Sequence, residues 1–141
     1  MQIYIKKENI DQNVQNISDY LESSLVFDKP NKPHYLMYDS NGLSYIKDSK
    51  NPREILHINF LKGSLGWRMK RAQHESNLKK ALGKNTNQLA IFDATAGLLT
   101  DTMIFLSLGH KVVAVEQSKI LFSLVSDAIL RAEKDIPELK N

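Results

Sequence analysis

Between Leu89 and Ser118 the chain reads LAIFDATAGLLTDTMIFLSLGHKVVAVEQS: a short apolar run closed by an acid, a turn of small residues, a helical stretch ending in glycine, and a second apolar run closed by an acid. This order restricts the fold more than any other feature. Two short apolar runs joined through a helix become parallel neighbours, because a crossover of that length returns the chain to the same end of the sheet. Leu89–Asp93 and Lys111–Glu116 are therefore read as buried parallel strands. The connecting helix begins at Thr100 or Asp101, carries Met103, Ile104, Phe105 and Leu108, and stops at Gly109. A second helix follows from Lys119 to about Lys134, with Leu121, Leu124, Val125, Ala128 and Ile129 facing inward.

Ligands of such sheets gather at the carboxyl ends of the strands. The small residues Ala94, Thr95, Ala96 and Gly97 allow a bound group to approach the backbone, and Gly97 tolerates a φ that other residues resist. The helix start at Thr100 and Asp101 offers free amides and a dipole that favour a negative or polar group. Glu116 follows Gly97 by 19 residues, close to the roughly 20 at which a carboxylate meets ribose hydroxyls. Three readings stay open on these residues. A dinucleotide calls for GxGxxG, and only one glycine is present. S-adenosylmethionine carries no phosphate and needs less glycine; Asp93 or Asp101 would hold its ammonium group and Glu116 its ribose. Without a cofactor, Asp93 and Asp101 cap turns and Glu116 is a strand-end acid.

The N-terminal half has a different texture. Gln2–Lys6 alternates as a strand, and Ile10, Val14, Ile17 and Leu21 predict a helix over Asn9–Ser24. Strands at 34–38 and 43–47 flank Asn41-Gly42, a strong hairpin signal, and EILHINF adds another strand, together a small antiparallel sheet. From Lys62 to Lys84 the basic residues Lys62, Arg68, Lys70, Arg71, Lys79, Lys80 and Lys84 face one acid, Glu75. Trp67, Ala72, Leu78 and Leu82 would form the apolar face of a helix stopped by Gly83. Its charged face is either a solvated surface or a contact for nucleic-acid phosphate through Arg68, Lys70 and Arg71. The polar connector Lys84–Gln88 divides the chain into modules 1–84 and 85–141.

Composition narrows the classes. The chain has 141 residues, a formal net charge of +3 and no cysteine, which rules out disulfides, thiolate metal ligation and a cysteine nucleophile. His34, His57, His74 and His110 lack metal-ligand spacing, so no metal is expected. No segment resembles a signal peptide or reaches the roughly 18 apolar residues of a membrane span, and the expected location is the cytoplasm.

The motif DATAGLLTD followed by SLGHKVVAVEQS resembles the ribosomal RNA small-subunit methyltransferase J family, whose signature is D-A-T-A-G-L-G-x-D, a helix ending S-L-G, and a strand closing in Glu. Asp93, Ala94, Thr95, Ala96, Gly97, Leu98 and Asp101 match it. Upstream, HINFLKGSLGWRMKR is similar to the family's strand, turn and Arg-rich segment, so the likeness spans about Gly42 to Glu133. The resemblance implies an α/β fold: a small N-terminal α+β module with an antiparallel hairpin, then the first half of a Rossmann-like methyltransferase sheet. It further implies S-adenosylmethionine as cofactor, held by Thr100, Asp101, Glu116 and Gln117 beside Asp93 and Gly97, and methyl transfer to a guanine N2 of 16S rRNA, the RNA partner. Leu99 stands where the family has glycine, and Thr100 where it has arginine. The family's later strands and Asp-Pro motif are absent, Asp135-Ile136-Pro137 being a poor substitute, so the chain reads as an N-terminal part with an uncovered sheet edge open to self-association. No catalytic residue is assigned. The alternatives are a non-catalytic RNA-binding or structural remnant whose cofactor site Leu99 has closed, and, less favoured, a nucleotide-dependent oxidoreductase.

Overall fold

A computed structural model describes residues 1–48, 50–83, 87–136 and 139. The chain forms two compact units, Met1–Ile58 with Ser118–Arg131, and Asn59–Gln117 with Ala132–Asn141. This grouping cuts the chain at other places than the modules 1–84 and 85–141. The module boundary, from Lys84 to Thr86, lies outside the described residues, as does Pro137 of the Asp-Ile-Pro segment.

The first unit is built on a five-stranded sheet of order β2-β1-β3-β4-β5. Strand β1 (Gln2–Ile5) lies parallel to both β2 (Ser24–Val26) and β3 (Tyr35–Asp39), while β3, β4 (Gly42–Ile46) and β5 (Ile55–His57) are antiparallel. The hairpin is as expected, but the sheet is mixed rather than antiparallel. The cause is helix α1 (Gln12–Tyr20), which works as a crossover and delivers β2 alongside β1. The helix is shorter than its sequence pattern: Asp11 caps the amide of Val14 at 2.9 Å, and Glu22 turns to φ 49°, which ends the helical run and frees Ser24–Val26 for the sheet. Pairing puts Ile3, Ile5, Leu36, Tyr38 and Leu43 on one buried face. Helix α5 (Lys119–Ala132) contributes Leu124, Val125 and Ala128 to the buried set.

Among these apolar residues sits a carboxylate, Asp127, only 1% exposed. Its oxygens accept the amide of Leu43 (2.9 Å), the Asn13 side-chain amide (3.0 Å) and Arg131 Nε (2.9 Å), and Arg131 also donates to the Ile58 carbonyl at 2.8 Å. A buried charge is tolerated only when so satisfied. Gly42, at φ 98°, makes room for it: a β-carbon there would meet Arg131 Nε and lie 2.5 Å from Asp127 Oδ2. The glycine of the Asn-Gly pair thus serves the helix as much as the turn, while Asn41 keeps a negative φ and its amide is held by Asp39 at 2.7 Å.

The second unit opens with helix α2 (Gly63–Lys70), a 3-10 turn at Ala72–His74 and helix α3 (Ser76–Ala81). One helix up to Gly83 was the expectation; the backbone instead leaves helical geometry at Arg71 and Glu75. Ala72 is buried and Leu78 and Leu82 are half-buried, but Trp67 points outward. The parallel pair is β6 (Ala90–Asp93) and β7 (Lys111–Ala114), joined by α4 (Thr100–Ser107). These strands are not buried as expected: Phe92 is 66% and Val113 63% exposed. Among the described residues of this unit, the two-stranded sheet has no third strand to cover that face.

Two measurements probe the first unit. Asp127→Ala leaves the Arg131 charge and the Leu43 amide without their acceptor, and denaturant unfolding is expected to show a loss of about 3 kcal/mol. Tyr38 donates to Asp11 at 2.8 Å and its phenol is pushed up to about 12, by burial above all, with Asp11 adding to the rise and Asn13 opposing it. The folded state therefore holds the phenolic proton more tightly than the unfolded chain. Its contribution is complete below pH 10 and falls as pH rises towards 12, so the Tyr38→Phe variant is expected to lose less stability than the parent between those pH values.

Candidate functional site

Asp93 closes β6 and organises the turn behind it. Its Oδ1 accepts the amide of Thr95 at 3.1 Å and its Oδ2 the hydroxyl of Thr102 at 2.5 Å. Both oxygens thus tie the strand end to the turn and to the first turn of α4, which makes Asp93 a positioning group for the loop. The amide of Ala96 donates to the Val115 carbonyl (3.1 Å) and that of Leu99 to the Ala96 carbonyl (2.7 Å). Glu116 lies just past β7 and reaches back so that Oε2 accepts the Gly97 amide at 2.9 Å. The two strand-end acids therefore both hold backbone amides of one loop.

The loop needs two left-handed residues, Gly97 at φ 53° and Leu99 at φ 58°, ψ 23°. Glycine takes such a conformation freely, whereas leucine is strained by about 1–2 kcal/mol. The leucine side chain offsets the strain by being buried, with 6% exposure. It turns away from the opening and is not among the residues that line it.

That opening is a crevice of about 370 Å³ lined by Ile91, Phe92, Asp93, Ala94, Thr95, Ala96, Thr100, Asp101 and Phe105. Its size lies within the range of small-molecule sites. Of the residues singled out from sequence, Asp93, Thr100 and Asp101 line this crevice, together with the small turn residues Ala94, Thr95 and Ala96. Gly97 and Glu116 meet each other through the hydrogen bond above and do not line it, and Gln117 is exposed on the next position.

Charge on the crevice wall is set by a short ion-pair chain. Arg68 of α2 grips Glu75 with Nε at 2.8 Å and an Nη at 3.1 Å, and the same Nη stands 3.6 Å from the half-exposed Asp101. The hydrogen bond from Arg68 holds the Glu75 carboxyl below the usual range, and the same bond raises the guanidinium. Arg68 is therefore already neutralised by two acids, while Lys70 and Arg71 are exposed and Arg71 stacks on Trp67 at 4.7 Å from the ring centroid. Sequence reasoning missed Thr102, Trp67 and the Arg68–Glu75 pair. Thr102 sits nine residues beyond Asp93, a separation that only folding closes. A further depression of about 540 Å³ in the first unit, around Lys32, His34, Lys47 and Lys50, contains none of the predicted residues.

The family model described as "Putative SAM-dependent methyltransferase" matches residues 20–140. Curated relatives named ribosomal RNA small subunit methyltransferase J are similar over most of the chain. The one from Thioalkalivibrio sulfidiphilus is 28% identical over 130 residues, covering 91% of this chain and 51% of its own length. Those from Alkalilimnicola ehrlichii and Desulfotalea psychrophila are 30% and 31% identical, covering 84% and 91% of this chain and 46% and 51% of their own. The chain spans about half the length of the curated relatives it matches. A solved SAM-dependent methyltransferase from Neisseria gonorrhoeae superposes with a TM-score of 0.76 over 99% of this chain and 56% of its own, at 22% identity, which speaks to the fold.

Two variants separate strain from packing at Leu99. Leu99→Ala keeps the left-handed strain and loses the buried side chain, for an expected cost of about 2–3 kcal/mol in denaturant unfolding. Leu99→Gly loses the same side chain but relieves the strain, and is expected to be about 1 kcal/mol more stable than the alanine variant.

Proposed function

The chain belongs to the SAM-dependent methyltransferase family, and from that premise we propose that it is the N-terminal part of an enzyme that methylates the N2 of a guanine in small-subunit ribosomal RNA, using S-adenosylmethionine. The observation that carries this reading is the clasp between Glu116 and the Gly97 amide, which brings the acid at the end of the second strand onto the glycine turn after the first. The names of the relatives, ribosomal RNA small subunit methyltransferase J, support the RNA target.

The residues present suit the cofactor. The crevice combines the small residues Ala94, Thr95 and Ala96, the apolar Ile91, Phe92 and Phe105, and Asp101, whose carboxylate is half-exposed and suited to a ligand that carries positive charge. Thr100 and Asp101 would meet the methionine end, and Gly97, Glu116 and Gln117 the ribose side. Asp93 acts differently: with both oxygens on Thr95 and Thr102, it keeps the loop in shape. Bound there, S-adenosylmethionine supplies an electrophilic methyl group on a sulfonium.

The acceptor chemistry sets the remaining demands. The exocyclic amine of guanine is a weak nucleophile because its lone pair is delocalised into the ring, so alignment and exclusion of water dominate. The base must leave its stack to reach the methyl group. In this reading the chain contributes cofactor binding and phosphate contacts through the cationic segment, chiefly Lys70 and Arg71, with Arg68 ordering the crevice wall. Groups that orient the guanine belong to the rest of the protein, and the chain alone is expected to bind without turnover.

Calorimetric titration with S-adenosylhomocysteine tests the proposal, with NAD as control. Saturable binding of the first ligand alone, weakened at least about tenfold in Glu116→Ala, is the expected result. Heat with NAD, or equal affinity in the variant, would overturn the assignment of Glu116 and the methyl-donor site.

A further inference from the structure

We propose that Trp67, with Arg71 stacked on it, is a platform on which a single-stranded nucleotide of the RNA stacks; the inference rests on the RNA reading above and adds to it a residue that reads bases. Trp67 is the one tryptophan in the chain. A side chain of this size normally loses most of its surface on folding, yet this one is 59% exposed, on α2, in the most basic stretch of the sequence. The Arg71 guanidinium lies 4.7 Å from the ring centroid, and most of the indole stays open to solvent.

The charge around the indole points to its occupant. Arg68, one position along, is bound to Glu75 and Asp101 and has little left to offer a ligand. Among the described residues neither Lys70 nor Arg71 forms an ion pair with a carboxylate, and Lys62 at the start of α2 is exposed as well. An exposed indole with a guanidinium stacked on it, on a helix whose other exposed cations lack a carboxylate partner among the described residues, matches single-stranded nucleic acid: the bases stack on the aromatic and guanidinium planes while the phosphates meet the amines. A protein partner fits less well, because lysine is depleted where protein interfaces close. The same unit connects this platform to the crevice, since Arg68 of α2 reaches Asp101 on the crevice wall. A nucleotide on Trp67 would thus belong to the strand that carries the target base.

The single tryptophan makes the contact directly visible in intrinsic fluorescence. The full chain is titrated with a mixed-sequence single-stranded oligoribonucleotide and, separately, with inorganic polyphosphate of matching charge. Quenching by the RNA and not by polyphosphate is expected. By anisotropy of labelled RNA, Trp67→Ala should bind about tenfold more weakly with an unchanged salt slope, Trp67→Phe should retain most of the affinity, and Lys70→Ala should reduce the salt slope by about 1. The indole is largely exposed, so circular dichroism of Trp67→Ala should match the parent. Equal RNA affinity in Trp67→Ala overturns the platform, as does equal quenching by polyphosphate. Self-association that depends on Trp67, with no quenching by RNA, overturns it in favour of a protein contact. If S-adenosylhomocysteine still binds in any of these cases, only this inference fails. If the parent binds neither that ligand nor RNA, the methyltransferase reading falls and the platform with it.

Discussion

A tight glycine turn holds its shape only if its own polar groups are satisfied, and in this protein that demand falls on two strand-end carboxylates. Asp93 takes the amide of Thr95 and the hydroxyl of Thr102; Glu116 takes the amide of Gly97. Together they pin both sides of one loop to the ends of adjacent parallel strands. The crevice, the start of α4 and the placement of Asp101 all follow from that pinning. The division of labour also separates two acids that look alike in the sequence: Asp93 shapes the loop, whereas Asp101 faces the crevice half-exposed.

The first unit uses a carboxylate for a different purpose. Asp127 is buried among apolar residues and hydrogen-bonded by three donors from three parts of the chain: α1, the start of β4, and its own helix. Such a group adds directionality that greasy packing lacks, because each hydrogen bond specifies one register of helix on sheet. Gly42 is the geometric price of that arrangement, since any side chain there would occupy the space of the ion pair.

In the basic segment, charge count and available charge differ. Arg68, Lys70 and Arg71 are equivalent in the sequence, but folding sorts them. Glu75 is placed by the break in the helix where it can take Arg68 in a two-point grip, which leaves the other two cations and the indole exposed to solvent.

How far the sequence reaches is clear from particular elements. The parallel pair, its connecting helix, the hairpin and α5 were legible because each carries a local signal: period-two or period-3.6 apolar spacing, Asn-Gly, and glycine stops. The loop Asp93–Asp101 was legible as a turn between the two strands because small residues and strand-end acids fall at fixed spacing. Strand β2 was not, since three residues beyond a helix carry no period of their own and pair only because β1 is beside them. Nor was the break at Arg71, the inward turn of Leu99, or the closure of Asp127 on Leu43 across 84 residues. The sequence by itself determined the order of elements and the chemistry available at the turn, because those depend on neighbours along the chain. Only the tertiary structure decided which acid shapes the loop, which arginine is neutralised and which aromatic is left in solvent, because those depend on groups that meet only once the chain has closed on itself.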